Sequence, residues 1–497
     1  MKIKRILTLV SVLIILISMT GILSAGASPS EASAQQPYKA GTMRTYVVLY
    51  KSNSVASDAA TVIAKAGGSL VYSYDEIGVV IASSDNELFG SNLLKNNKIQ
   101  GASSTAGFGV QHSDEFLELY DASGPPPGDL PNSPVSDTDP LFNLQWDMVQ
   151  IHVPEAHAIT GGSPSVLVGD IDTGIDFTHP DLVANIDFAN SVSCVGGVPN
   201  QDPAAWNDEF GHGTHTAGTI AAVADNGIGI VGVAPNVKIA AIKATDSNGF
   251  LYPEYVICAF MWAATHGVDV TNNSYFVDPW LFNCRNDPVQ RAIWESLRRA
   301  IRYAMSQGVT VVASAGNQND DLAHPTVDTI SPDDGTALTR EITNACGVIP
   351  AEIPGVVTVT ANGNLMQKSY YSSYGVGVVQ LVAPGGDSRF QRTPAATRGT
   401  VLSTYPGNRY AYLQGTSMAS PHVAGVAALI ISQYGKMPQG RVSAYLTSTA
   451  DPIECPPNPF NPGPPFNYLA TCQGGAGYNS FYGHGQVNAF NAVTHSP

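Results

Sequence analysis

Three short stretches of this 497-residue chain carry residue types that can do chemistry together. Gly169-Asp170-Ile171-Asp172-Thr173-Gly174-Ile175-Asp176 closes an apolar, β-branched run. Gly211-His212-Gly213-Thr214-His215 and Gly415-Thr416-Ser417-Met418-Ala419-Ser420-Pro421-His422 each open a stretch of helical composition. Singly, each has an ordinary structural reading: an Asp at a strand end turns the chain, and a Ser ahead of a helix caps it. Together they supply a carboxylate, an imidazole and a hydroxyl, each beside glycines that allow close backbone approach. A serine hydroxyl is a poor nucleophile until a base removes its proton. An imidazole titrating at about 6.5 can take that proton and return it, and a buried carboxylate can hold the ring. His212 and His215 also have His-x-x-His spacing, but the chain has no HExxH, which disfavours zinc-dependent hydrolysis.

Such groups need a rigid scaffold, and the pattern from about Asp139 onward supplies one. Apolar runs at 165–171, 237–244, 268–270, 309–313, 356–360 and 378–383 read as strands. Helical stretches at 216–223, 255–265, 289–305 and 418–432 lie between or after them. Near-continuous apolar strands interleaved with helices predict an α/β domain, a mostly parallel sheet with helices on both faces. In such sheets reactive groups gather at the carboxyl ends of strands. Residues 45–106 precede it with the order β-α-β-β-α-β, a small α+β ferredoxin-like unit without a histidine or cysteine. Residues 107–138, with Ala-Ser-Gly-Pro-Pro-Pro-Gly and further Pro, Asp and Ser, read as a linker, leaving 139–497 as the large domain.

The first 27 residues set the compartment. Lys2, Lys4 and Arg5 precede an apolar stretch from 6 to 22, and Ala25-Gly26-Ala27 fits a cleavage site: a secretory signal peptide, hence a secreted, extracellular protein. Export permits disulfides. The six cysteines form no CxxC; Cys455 and Cys472 flank a proline-rich loop and are the expected pair, while the partners of Cys194, Cys258, Cys284 and Cys346 stay open. The net charge of −16 argues against nucleic acid and anionic membrane as partners. From Asp137 onward there are 29 acidic and 15 basic residues, so the acidity belongs to the large domain.

The order Asp, His, Ser in these surroundings resembles the subtilisin-like serine proteases (subtilases, peptidase family S8) over about residues 139–493, most specifically at 415–422. The resemblance implies Ser417 as nucleophile, His212 as general base, Asp172 as the carboxylate that orients the ring, and Asn317 as oxyanion donor. It implies a serine endopeptidase acting on protein and peptide substrates through an acyl-enzyme. It further implies a zymogen whose unit 45–106 is an inhibitor-like propeptide, an intramolecular partner removed on maturation. A monomer without stable membrane association after signal removal is expected. The alternative is a catalytically silent homologue serving as a secreted binding or surface protein. Substrate backbone is expected along Ser274, Tyr275 and Phe276 on one side and Ser314, Ala315 and Gly316 on the other. Tyr275 and Phe276 replace small glycines of the family, so specificity does not carry over. Asn272-Asn273-Ser274 is formally a glycosylation acceptor, but its place in the cleft argues against that use. Asp170 stands where the family has an apolar residue, and a cation or a water network is expected to offset it, with Lys243 on another strand as a candidate cation. The family's structural Ca2+ site maps to Asp181, Ala224, Asn226, Ile228 and Ile230, with Gln145 as a further ligand.

Overall fold

The computed structural model describes residues 41–105, 119–121, 135–464 and 467–495. The signal segment 1–27 and most of the linker lie outside the described residues. The leading elements are β1 (Arg44–Tyr50), α1 (Ala59–Ala66), β2 (Ser69–Tyr74), β3 (Val79–Ser84), α2 (Phe89–Leu93) and β4 (Ile99–Ser104). They form an antiparallel sheet of order β2-β3-β1-β4. Alternation along its strands divides the side chains. Tyr46, Val48 and Val80 pack with Ile63 and Phe89 of the two helices, whereas Val47, Leu49, Val79 and Ile81 join the core of the large domain. Within the predicted linker, Leu119–Asp121 is a short strand, β5.

The large domain is built on β6 (Leu167–Asp172), β7 (Val192–Ser193), α3 (His212–Ala221), β8 (Lys238–Lys243), α4 (Pro253–Thr265), β9 (Val270–Asn273), α5 (Pro288–Ser306), β10 (Thr310–Ser314), β11 (Val357–Asn362), β12 (Leu381–Pro384), β13 (Val401–Tyr405), β14 (Arg409–Leu413) and α6 (Thr416–Tyr434). Seven strands pair in parallel in the order β12-β11-β10-β9-β6-β8-β7. Period-two alternation sends Val168, Val270 and Val312 to the face covered by α3 and α6, and Leu167, Ile171 and Val311 to the face covered by α4 and α5. Asp170 and Asp172 share the parity of Val168 and therefore look toward α3 and α6. β13 and β14 form a hairpin, and β5 pairs with β14 as its edge, Tyr120 opposite Tyr410. Three disulfides brace the domain: Cys194–Cys258, Cys284–Cys346 and the expected Cys455–Cys472.

The leading sheet lies on α4 and α5. The Ser103 hydroxyl donates to the Val289 carbonyl (2.7 Å), and Tyr74 donates to the Gly197 carbonyl (2.7 Å). Arg299 donates to the carbonyls of Tyr50, Ile77 and Ser52 at 3.0 to 3.1 Å. Gly101 is required by this fit, since a Cβ there would stand 2.6 Å from Cβ of Ala292.

Candidate active site

Asp172 ends β6 and is buried; its Oδ1 lies 2.7 Å from Nδ1 of His212, the first residue of α3. The same oxygen accepts from the backbone N–H of Thr173 (2.7 Å). The start of α3 is held by Asp208, whose Oδ2 accepts from the N–H and hydroxyl of Thr214, while Oδ1 accepts from Gly211 N–H and the Thr173 hydroxyl. Sequence reasoning missed Asp208; its place four residues ahead of His212, in a turn, was the available signal. His215 and His422 are pins of the scaffold. Nε2 of His215 meets the Ala411 carbonyl (3.0 Å) of β14, and burial drives its pKa down to about 3. His422 spans from the Met418 carbonyl to Asp147.

Ser417 sits in the first turn of α6, where backbone N–H groups lack intrahelical partners. Pro421 has no N–H to return to the Ser417 carbonyl one turn back. The Ser274 hydroxyl donates to that carbonyl instead (2.9 Å), and the Ser417 hydroxyl lies 3.3 Å from the Ser274 carbonyl. Asn317 follows β10 through Gly316, which adopts φ +103°. Its Oδ1 accepts from the N–H and hydroxyl of Thr416 at 2.9 and 2.8 Å, so the amide must present its NH2 elsewhere.

One cleft of about 520 Å³ gathers these groups: Asp172, His212, Asn317 and Ser417 line it together with Ser274, Tyr275, Phe276, Ser314 and Gly316. Ala315 does not; its side chain packs among Leu281, Phe282 and Leu322. Tyr275 donates to Oδ1 of Asn273 (2.9 Å), so its ring is tethered to the end of β9. Asn272 is fully buried, which closes the glycosylation reading.

Lys243 does not offset Asp170. Its ammonium donates to the Asn207 carbonyl (2.9 Å), and it pairs in register with Asp172. Asp170 meets neutral partners, the Thr216 hydroxyl at 2.7 Å and the Asn272 amide at 2.9 Å. Burial, then the nearby Asp172, push its carboxyl well above the ordinary range.

At the expected metal loop, Asp181 accepts from Asn226 Nδ2 (2.6 Å), Ile230 N–H (3.0 Å) and the Tyr410 hydroxyl (3.0 Å). Among the described residues it has no cationic partner, and burial pushes it up to about 7. Asp139 holds the same loop through the N–H groups of Asp225 and Gly227. Buried carboxylates beside a glycine-rich loop form a hard-oxygen donor set, which fits Ca2+ in chemistry. Asn226 turns its oxygen to the Ile228 N–H, so its amide would have to rotate to serve as a ligand. Gln145 is not part of this set, since both its amide atoms close on Val231. Among the described residues no group of three or more His, Cys, Asp or Glu converges on a metal position, and no helix is long and apolar enough to cross a membrane.

A seven-stranded parallel sheet with helices on both faces and a Ser, His and Asp at its carboxyl edge defines a serine-hydrolase architecture. Residues 163–485 match the family described as Peptidase_S8, the subtilase family. The thermophilic serine proteinase of Bacillus sp. (strain AK1) is 32% identical over 359 residues, 71% of this chain and 67% of that protein. Subtilisin DY of Bacillus licheniformis is 35% identical over 287 residues, 58% of this chain and 84% of that one. In structure, the epidermin leader peptide processing serine protease of Staphylococcus aureus superimposes with a TM-score of 0.64 at 22% identity, over 92% of this chain and 99% of that one. The chain belongs to the subtilase family, has the subtilisin-like fold, and is a serine-type endopeptidase.

Proposed function

We propose that the chain is a secreted endopeptidase that cleaves peptide bonds through Asp172, His212 and Ser417, and that it is made as a zymogen. Ser417 Oγ attacks the scissile carbonyl while His212 takes its proton; Asp172 holds the ring at Nδ1 and stabilises the imidazolium. The carbonyl oxygen, now an oxyanion, is met by the Asn317 NH2 and the N–H of Ser417 at the start of α6. His212 then protonates the leaving amine, and water releases the acyl group by the reverse sequence. The backbone of Ser274–Phe276 and of 314–316 flanks the substrate as an added strand would require.

The observation that carries this reading is the 2.7 Å His212–Asp172 contact in a cleft that also holds Ser417 and a Thr416-oriented Asn317. The unit 45–106 is proposed as the propeptide, supported by its packing on α4 and α5. Extracellular release through the 1–27 signal, a monomeric state and a structural Ca2+ at Asp181, Ala224, Asn226, Ile228 and Ile230 complete the proposal; the ion would cross-link the loop and take no part in the chemistry. The test compares the secreted protein with Ser417→Ala on denatured casein, alongside labelling by a serine-directed phosphonate. Loss of activity and labelling in the variant, with accumulation of unprocessed precursor, is expected; equal activity in both samples would refute the reading.

A further inference from the structure

Asp170 is a carboxylic acid in the centre of a buried sheet, 1% exposed, two residues before Asp172. Two elements meet its side chain directly, and a third is reached through one of them. On α3, the Thr216 hydroxyl stands one turn beyond His212, 2.7 Å from Asp170 Oδ2 and 3.1 Å from the Gly213 carbonyl. On β9, Asn272 Nδ2 donates to Asp170 Oδ1 (2.9 Å). Asn272 Oδ1 in turn accepts from the Ser420 hydroxyl (2.7 Å) on α6, one turn beyond Ser417. Ser274, two residues on from Asn272, donates to the Ser417 carbonyl. An unbroken polar chain therefore runs from the histidine helix through β6 and β9 to the serine helix.

We propose that Asp170 is a positioning residue for the triad, a buried bridge that fixes the His212 helix against the Ser417 helix through Thr216 and Asn272. The inference rests on the triad reading above. The groups facing Asp170 are Asp172 on its own strand, His212 on α3 and Tyr275 beyond β9; none is a fixed cation. Beside Asp172 in a dry core, the neutral acid is the stable form. Neutral Asp170 has the right inventory: its O–H donates to the Thr216 oxygen, Thr216 passes its own proton to the Gly213 carbonyl, and the second carboxyl oxygen accepts from Asn272. Every polar group is satisfied, and the negative charge is left on Asp172, where an imidazolium needs it. An apolar residue here would leave Asn272 and Thr216 without their shared partner.

The test compares Asp170→Val, Asp170→Asn and Thr216→Val in the full chain, with Ser417→Ala as reference, using peptide hydrolysis across pH and active-site titration with a fluorophosphonate. Asp170→Val should lower kcat about tenfold to a hundredfold with KM little changed, as misplacement of reacting groups does. Asp170→Asn should recover kcat to within about threefold, because an amide can donate to Thr216 and accept from Asn272, and the acid limb of kcat/KM should stay in place. Should Asp170→Val not fold, Thr216→Val severs only the link to α3 and should show the same loss confined to kcat. Wild-type kcat in Asp170→Val or Thr216→Val would overturn the proposal. So would an Asp170→Asn enzyme as impaired as Asp170→Val with a displaced acid limb, since charge and not bridging would then be the role. Full activity in Ser417→Ala would instead overturn the triad reading itself.

Discussion

Thr416 gives both its backbone N–H and its hydroxyl to the side-chain oxygen of Asn317. The residue that precedes the serine thus decides which way the amide faces, and its NH2 is directed away before any substrate arrives. Preorganised donors of this kind are effective because they need no reorientation as charge develops.

Asn317→Leu is expected to lower kcat by about 10²–10³ with a much smaller change in KM, the signature of a donor used only in the transition state. Thr416→Val should cost part of that amount, since its N–H still holds the amide. Steady-state kinetics on one peptide substrate compare the two.

Asp208 is expected to matter for stability as much as for rate. Its buried carboxylate serves donors at Gly211, Thr173 and Thr214, so Asp208→Ala strands several of them at once. A loss of about 2–4 kcal/mol in unfolding free energy is expected, measured by denaturant titration in a Ser417→Ala background that prevents self-digestion.

Glu254, fully buried in the first turn of α4, is pushed up to about 7, chiefly by burial. Its folded-state pKa lies above the unfolded value, so the folded protein binds the extra proton. The stability this confers is complete below the unfolded pKa and is lost as pH rises through about 7. The decline amounts to roughly 3 kcal/mol for such a shift. Glu254→Gln should flatten that part of the Tm-against-pH curve between pH 5 and 8.

Calcium should raise Tm, and chelation should lower it, through preferential binding to the folded state; an ion at a hundredfold its Kd stabilises by about 2.7 kcal/mol. Asp181→Asn should remove the response to both. A Tm indifferent to EDTA in the unmodified protein would count against the ion.

The scaffold was legible because its signals are local. Six apolar runs, from 165–171 to 378–383, are strands of the sheet, and the four helical stretches are α3 to α6, with bounds displaced by only a few residues. The element order β-α-β-β-α-β of the leading unit was legible in the same way, while its strand order 4-1-3-2 is set by tertiary pairing. The short strand at Leu119–Asp121 was not legible, because its pairing partner lies some 290 residues on, at Arg409–Ala411. No periodicity in three residues announces such a contact.

At the site, the sequence by itself determined the inventory: Asp172, His212, Asn317 and Ser417 beside their glycines, in an order that belongs to one family of proteases. Residue type is a property of the chain, and so is the Pro421 that leaves the Ser417 carbonyl free of its helical partner. Only the tertiary structure decided the partners. It gave Asp170 two neutral partners from α3 and β9 in place of Lys243, which the register sets against Asp172. It gave Asp208 to the histidine helix, and turned Ala315 away from the cleft. The reason is physical: a buried carboxyl is satisfied by whatever donors the packing of distant elements brings within 3 Å, and that packing is not written in any local stretch of sequence.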